Sequence, residues 1–592
     1  MAEALRDDYA AAQFAGKLAS DQPPECDLVM KGGITSGIVY PFAILELAGK
    51  YRFRCIGGTS AGAIAAAFAA AAEYARQSGD PGGFLRLKEK CESLPALMLG
   101  LFQPTKSVAG LMQFLLKSQS GGILAALLVF WLPLLIGVLV GGVGMALLGG
   151  GWAGAILGAV VGFAVAFAWR IWSLLKEIPK NDFGLCTGLT QPGYDHPALT
   201  DWIYQSLQEI AFGPVGRAQP LTFGDLANIN RAKPTDEATI TLRAVTTDLS
   251  MGRPRSLPDP GEGFRFEEKA WARLFPKPVM DFLMGLDSIR PEDDAEPWDQ
   301  LPRFPAPDDL PVIVAVRMSL SFPVLFTAVP LRFLDLSLVM LAKDQEGMID
   351  PIDIPDPKAT VRPIWFTDGG VTSNFPIHFF DAMLPGRPTF ALGLDNLAPG
   401  MEPGGGRVYL PHHAWGGSFT SIDGFKSLLD FGQSVFGAAQ NWQDTMMSVM
   451  GAQRERVARV YLAPDEGGMN LAMPPALSKK LMGFGQVAGR KLVAEFDFDE
   501  HRWRRALVAY EKLQEEMRRT NRIWDGGGYG AWLERYLPDV ESYKALPLAA
   551  RRKLHARLGD LAAAAKVFDP PIVAKKGQFP RPPGSLRITP RL

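Results

Sequence analysis

The sequence predicts an α/β fold with a mainly parallel sheet, an inserted hydrophobic helical hairpin and a helical C-terminal extension. Two observations lead to this prediction. Short apolar segments of strand length end in glycine-rich turns and continue into helix-forming segments, the alternation that is typical of βαβ units. No charged residue lies between Lys117 and Arg170, a stretch long enough for two membrane-spanning helices joined by a turn.

The pentapeptide G-T-S-A-G at residues 58–62 follows an apolar segment and precedes an alanine-rich one. Residues 51–56 predict a strand, and residues 61–76 predict a helix because alanine is the strongest helix former. A serine hydroxyl reacts only when it is exposed beside a base, and a sharp strand-to-helix turn provides that exposure. The pattern therefore predicts a nucleophile elbow with Ser60 as the nucleophile. The small residues of the motif are Gly58 and Gly62.

A second glycine-rich turn lies just upstream, between a predicted strand at residues 27–30 and a predicted helix at residues 38–47. Its motif residues are Gly32, Gly33, Ile34 and Gly37. Such a turn aims backbone N–H groups at an anion, which predicts an oxyanion hole; an ordinary tight turn is the alternative. The short separation from Ser60 fits one βαβ step, which places both turns at the carboxyl edge of a parallel sheet.

Two later segments complete the pattern. Residues 365–370 form an apolar run that ends in Asp368, Gly369 and Gly370. The aspartate there either accepts a proton from Ser60 or begins a turn, since Asp-Gly is an ordinary turn dipeptide. Residues 317–326 show no chemistry of their own and are interpreted as a packed connection.

In this order, the four segments resemble the patatin-like phospholipase family, in a bacterial-type form with an inserted transmembrane hairpin. The resemblance covers about residues 25–400. Within that range, Asn374 and Pro376, just after Asp-Gly-Gly, also match the family. It implies a three-layer α/β/α domain whose Ser–Asp dyad hydrolyses acyl esters of lipids without metal or cofactor. Two positions depart from the family, because Ile34 stands at its third glycine and Ser36 at its arginine.

Carried over residue by residue, the resemblance makes Ser60 the nucleophile, Asp368 the proton acceptor and the amides around Gly32, Gly33 and Ile34 the oxyanion hole. It implies a hydrolase of the phospholipase A or lysophospholipase kind, acting through an acyl-enzyme on membrane lipids in lipid metabolism or degradation, and the hydrophobic hairpin predicts that this hydrolase is membrane-anchored. The alternatives are an acyltransferase that uses the same acyl-enzyme and a non-catalytic membrane scaffold on the same fold.

A Ser-His-Asp triad is the competing catalytic arrangement. The chain has six histidines, and an α/β-hydrolase places its acid and then its histidine after the serine. The histidines that follow Asp368 most closely are His378, His412 and His413. None of them lies in a recognisable loop context, so the dyad is favoured.

The charge-free stretch predicts a transmembrane hairpin with helices at about residues 123–148 and 152–169 and a break at residues 149–151. Glycines at every fourth position place small residues on one helix face, where a second helix packs closely. That helix belongs either to the same hairpin or to another chain, which leaves an oligomer open. Basic flanks at both ends put the catalytic domain on the cytoplasmic side. A buried core hairpin and a re-entrant hairpin are the alternatives.

The charge balance of the 592-residue chain, with 61 basic and 62 acidic residues, argues against nucleic-acid binding. Four widely spaced cysteines predict neither a metal site nor a disulfide framework. The predicted divisions are an N-terminal segment (1–24), a catalytic domain in two parts (25–115 and 177–465), the hairpin region (116–176) and a helical C-terminal extension with a basic tail (466–592).

Overall fold

The structure is a computed structural model of the chain. It describes residues 5, 7–15, 24–33, 35–114, 116, 130–233, 237–289, 298, 300–335, 361–397, 406–411, 427, 431, 434–435, 437–438, 446–463, 466–467, 470–471, 473–540, 546–573 and 579–581.

A nine-stranded sheet forms the centre of the described part of the chain, beside a separate sheet of two strands. The strands are β1 (Glu25–Met30), β2 (Arg52–Thr59), β3 (Gly184–Cys186), β4 (Thr241–Asp248), β5 (Arg253–Leu257), β6 (Val324–Phe326), β7 (Val329–Leu334), β8 (Val361–Asp368), β9 (Thr389–Asn396), β10 (Val408–Tyr409) and β11 (Val457–Leu462). The order in the large sheet is β10-β11-β9-β1-β2-β4-β8-β7, with β5 beside β4, whereas β3 pairs with β6. Strands β11, β9, β1, β2 and β4 run parallel, and the outer pairs are antiparallel.

Helical elements follow β1, β2 and β11, and the chain ends in a helical C-terminal region. The described α-helices are α1 (Ala11–Phe14), α2 (Tyr40–Ala48), α3 (Ala61–Gln77), α4 (Gly83–Leu97), α5 (Trp131–Met145), α6 (Gly151–Lys180), α7 (Leu199–Phe212), α8 (Phe223–Asn228), α9 (Glu268–Trp271), α10 (Lys277–Met284), α11 (Val312–Ser319), α12 (Pro475–Glu495), α13 (Phe498–Asn521), α14 (Tyr529–Tyr536) and α15 (Leu548–Ala564).

The large sheet is buried on both faces, as parallel sheets generally are. Successive residues of β1 point to opposite faces: Leu28 belongs to the main core cluster together with residues of α2 and α3. Val29 belongs to a second cluster that contains Phe375 and Ile377. The C-terminal helix α12 packs directly on the turn before α2, where a side chain on Gly485 would overlap the carbonyl oxygen of Val39. The predicted α/β class, with its mainly parallel sheet and helical C-terminal region, is confirmed.

The hydrophobic hairpin consists of α5 and α6, joined by a π-helical turn at Ala146–Gly150 in which Gly149 has φ 85°. The two helices are antiparallel and touch at their backbones: a side chain on Gly141 would overlap the carbonyl oxygen of Gly158, and one on Gly137 that of Gly162. These glycines are therefore used within the hairpin.

The helical run Trp131–Lys180 is long and apolar enough to cross a membrane by its length and composition, and only 6% of its most apolar window is buried. Its second helix does not end at residue 169 as predicted but continues to Lys180. Arg170 marks a change in polarity, and a polar side chain at that point does not end a helix. The predicted start of the first helix, at residues 123–129, lies outside the described residues, as do residues 574–578 and 582–592 of the basic tail.

Candidate active site

Ser60 lies between β2 and α3 with φ 56° and ψ −127°, a conformation that is uncommon for a residue with a side chain. Close packing on both sides explains the two motif glycines. A side chain on Gly58 would overlap the backbone of Gly62, and one on Gly62 would overlap the carbonyl oxygen of Met30. The predicted strand–serine–helix turn is therefore present, and the strained serine is typical of a nucleophile elbow.

The register of three strands brings Asp368 beside Ser60. Thr59 of β2 pairs with Val245 of β4, and Asp368 at the end of β8 pairs with Thr246, the next residue of β4. Ser60 and Asp368 therefore flank the same position of β4. Gly369 follows directly, and a side chain there would overlap the carbonyl oxygen of Val245.

The Asp368 carboxyl is buried, and burial raises its pKa to about 7 against the opposing effects of Ser60 and the Gly370 amide. Oδ1 accepts the Gly370 N–H over 2.7 Å. Oδ2 has no hydrogen-bond partner among the described residues. A carboxylate with a pKa near neutrality and one unoccupied oxygen is suited to general-base chemistry.

The Ser60 hydroxyl is close enough to affect Asp368, yet its hydrogen bond goes elsewhere. Oγ donates to the carbonyl oxygen of Gly33 over 3.0 Å. The amide of Ala61 donates to the same oxygen over 3.3 Å. Catalytic hydrogen bonds are often incomplete before substrate binds, so this arrangement is compatible with a dyad whose bond forms when Gly33 releases Oγ.

The glycine-rich turn differs from the predicted oxyanion hole. The amide of Gly32 donates to the carbonyl oxygen of Asn374 over 2.7 Å, so it does not face Ser60. Gly33 presents its carbonyl oxygen to Ser60, and the predicted contribution of Ile34 lies outside the described residues. Gly37 lies against α3, where its added side chain would overlap the Ala61 methyl group. Residue types do not specify the orientation of a peptide, which is why the sequence could not predict this arrangement.

An ion pair fixes the start of this turn. Nζ of Lys31 lies 2.8 Å from Oδ1 of Asp395, and Arg459 lies 2.6 Å from Oδ2. Burial alone would raise the pKa of Asp395, but Lys31 and Arg459 lower it to about 2. Asp395 therefore stays ionised across the neutral range, and Lys31 is paired.

The segment that the sequence marked as a packed connection contacts both Ser60 and Asp368. Oγ of Ser319 accepts the amide N–H of Ser60 over 3.1 Å. The carbonyl oxygen of Ser321 accepts the amide N–H of Asp368 over 3.0 Å. Sequence reasoning missed both contacts because they join residues far apart in the chain; the two serines before Pro323 were the available signal.

An apolar cavity opens at Ser60 and contains about 820 Å³ of empty space, counting the part that opens to solvent. One face of α3 lines it through Ala61, Ile64, Ala65 and Phe68, whose spacing is that of a single helix face. Most of the opposite wall is aliphatic or aromatic and includes Phe326. The apolar lining suits a hydrocarbon chain.

No hydrogen bond links a histidine to Ser60 or Asp368 in the described part of the chain. His378 has no hydrogen-bond partner there, and burial lowers its pKa. His501 pairs with Glu455 at 3.1 Å, in the C-terminal region. His412 and His413 lie outside the described residues. The same residues contain no group of three or more metal-binding side chains.

Comparison with known proteins places the chain in a family. The RpoH suppressor of Rhizobium meliloti (strain 1021) is 35% identical over 555 residues, which cover 82% of this chain and 86% of that protein. The chain belongs to the RpoH suppressor family. No protein-family model matches it. Among solved structures, VipD from Legionella pneumophila aligns with 92% of this chain and 88% of its own chain, at 12% identity and a TM-score of 0.30.

Proposed function

We propose that the chain is a membrane-anchored serine hydrolase of the patatin-like type that cleaves carboxylic esters of lipids. The observation that carries this proposal is the apolar cavity that opens at Ser60, beside the buried carboxylate of Asp368. A nucleophile at the mouth of a hydrocarbon-lined cavity selects a substrate with a long acyl chain, because the cavity offers few polar partners to any other group.

In the proposed reaction, Oγ of Ser60 attacks the ester carbonyl carbon while Oδ2 of Asp368 accepts the hydroxyl proton. The carbonyl oxygen becomes an oxyanion, and the amide of Ala61 is placed to donate to it once the Gly33 carbonyl has moved. Collapse of this intermediate breaks the ester bond, and the alcohol leaves with the proton from Asp368. Water then attacks the acyl-enzyme, giving its proton to Asp368, and the fatty acid is released as Ser60 regains its proton.

The hairpin supports a membrane location for this chemistry. Exposed apolar side chains cover it, as at Trp152 (89% exposed) and Leu147 (82% exposed). A bilayer anchor raises the local concentration of an insoluble substrate at the active site. We infer a cytoplasmic location for the catalytic domain because Lys176 and Lys180, in the last turns of α6, flank the apolar part of the hairpin.

A non-catalytic scaffold is the second candidate, and one observation favours it: the Gly33 carbonyl occupies the position that an oxyanion needs. An acyltransferase would use the same acyl-enzyme, with a lysolipid or another alcohol in place of water. The name RpoH suppressor, given to the relative from Rhizobium meliloti, states no reaction and does not distinguish these possibilities.

The test is fatty-acid release from mixed phospholipid vesicles by wild type, Ser60→Ala and the surface control Ser78→Ala. We expect release by wild type and the control but not by Ser60→Ala. Added lysolipid that converts fatty acid into a new ester would identify the acyltransferase. Failure of Ser60 in the wild-type protein to react with a fluorophosphonate probe would instead indicate the scaffold.

A further inference from the structure

Ser319 ends α11, and its hydroxyl oxygen holds the backbone of Ser60 rather than its side chain. The amide of Ser60 precedes α3 and has no hydrogen-bond partner within that helix. Oγ of Ser319 accepts this N–H over 3.1 Å, and both residues are buried, at 0% and 3% exposure. Without that acceptor, a buried N–H at the elbow would lose its partner, which is unfavourable.

The position of this bond matters because Ser60 is strained. A non-glycine residue at φ 56° persists only where its surroundings hold it, and in this conformation Oγ lies 3.0 Å from the carbonyl oxygen of Gly33. Loss of the acceptor would allow the Ser60 peptide to turn toward another partner. The direction of Oγ would change with it.

The segment that carries Ser319 is itself anchored. Arg317 is 1% exposed, and its guanidinium donates to Oγ of Ser321 over 2.6 Å and to the carbonyl oxygens of Thr187 and Thr327, each over 3.0 Å. The carbonyl oxygen of Ser321 in turn accepts the amide N–H of Asp368. Nucleophile and base are therefore attached to two positions of one rigid segment, two residues apart.

We propose that Ser319 is a positioning residue that holds the Ser60 elbow in its reactive conformation and fixes its distance from Asp368. The proposal rests on the hydrolase function proposed above. It assigns a role in turnover, not merely in stability, to a hydroxyl that touches neither substrate nor the reacting atoms.

The experiment compares the full-length wild type with Ser319→Ala, Ser319→Cys and Ser319→Thr in detergent. Exhaustive fluorophosphonate labelling counts the reactive Ser60 sites, and hydrolysis of a soluble short-chain ester gives kcat for each counted site, together with KM. Ser478→Ala is the matched control, since Ser478 is also 0% exposed and its hydroxyl has no hydrogen-bond partner among the described residues.

Removal of a hydrogen bond to a buried donor predicts a loss of roughly tenfold to a hundredfold in kcat for each counted site of Ser319→Ala, with KM unchanged. Ser319→Cys keeps the shape but is a weak acceptor, so it shows the same loss if the alanine variant does not fold. Ser319→Thr restores turnover, and Ser478→Ala keeps the wild-type kcat. Wild-type kcat for each counted site in both the alanine and cysteine variants would overturn the proposal. If wild type neither labels nor turns over, the hydrolase function itself fails, and this role fails with it.

Discussion

The hydroxyl of Ser60 donates to the carbonyl oxygen of Gly33 across 3.0 Å, and this contact engages the hydroxyl that the proposed reaction needs. The same oxygen accepts the amide of Ala61 at 3.3 Å. The proposed nucleophile and the proposed oxyanion donor are thus both hydrogen-bonded to one backbone carbonyl. In the proposed reaction, a substrate ester displaces that carbonyl before its own oxygen takes the same donors.

The first prediction follows from this displacement. A fluorophosphonate that reacts with Ser60 carries a phosphonyl oxygen into the oxyanion position, so we expect Ala61 to donate to that oxygen and Gly33 to turn its carbonyl away. An experimental structure of the adduct, compared with that of the unreacted protein, checks this. A Gly33 oxygen that remains within hydrogen-bonding distance of the Ala61 nitrogen in the adduct would contradict it. Ser60→Ala treated with the same reagent is the control and keeps the resting contact to Ala61.

The second prediction concerns the pH dependence of the reaction. Asp368 accepts a proton only when it is ionised, and burial raises its pKa to about 7. We therefore expect the rate of fluorophosphonate labelling to rise with pH through a midpoint near 7. Asp368→Asn should label far more slowly and show no transition near pH 7. Asp395, beside the glycine-rich turn, has a pKa of about 2 and contributes no transition in this range. A midpoint near the usual carboxyl pKa, about 4, would refute the role of Asp368.

The third prediction concerns stability, and its sign is opposite to that of an ion-paired carboxylate. The folded-state pKa of Asp368 is raised, so between the unfolded value of 3.8 and about 7 the unfolded chain releases a proton that the folded chain keeps. Ionisation therefore lowers the free energy of unfolding as pH rises through this window. We expect Asp368→Asn to melt at a higher temperature than wild type at pH 8, with the difference shrinking toward pH 4. Asp560→Asn, at an exposed position, is the control. Equal melting curves for Asp368→Asn and wild type at both pH values would show that the pKa of the Asp368 carboxyl is not raised in the folded protein.

Much of this site was predictable because its signals are local. A strand, a glycine-rich turn and a helix occur in sequence at β1–α2 and again at β2–α3, and the order of motifs identified Ser60 and Asp368 as candidates. Contacts made by backbone groups were not predictable in the same way. The partners of the Ser60 amide and the direction of the Gly33 carbonyl depend on the packing of α11 and on peptide orientation, which residue types do not encode.

The hairpin illustrates the same limit. Its break at glycines follows from residue type, since Gly149 adopts a positive φ of 85° that other residues avoid. The end of α6 does not follow from hydropathy, because the last turns of the helix beyond Arg170 pack on the main core cluster through Leu174, which is 3% exposed. Polarity marks where a lipid environment would end, whereas packing determines where the helix ends.

The fourth prediction tests the apolar cavity as an acyl-binding site. Ala65 lines it from α3, one turn beyond Ala61. Ala65→Phe fills part of the cavity, so we expect hydrolysis of long-chain esters to fall by tenfold or more while short-chain esters are still cleaved. The ratio of turnover on a sixteen-carbon and a four-carbon ester measures this, and the short ester serves as the internal control for folding. An unchanged ratio would mean that the acyl chain lies elsewhere.

The fifth prediction concerns the hairpin, where two glycines of α5 offer a matched comparison. A side chain on Gly141 would overlap the carbonyl oxygen of Gly158, whereas one on Gly144, in the same helix, would meet no atom within 4 Å. Gly141→Val therefore forces α5 and α6 apart and removes close backbone packing, which in a membrane hairpin is a main source of helix association. We expect it to lower the free energy of unfolding in detergent by about 1–3 kcal/mol, the usual range for overpacking, and Gly144→Val to have little effect. Equal melting temperatures for the two variants would show that α5 and α6 do not pack through this glycine face, and the glycines would then be available for contacts between chains.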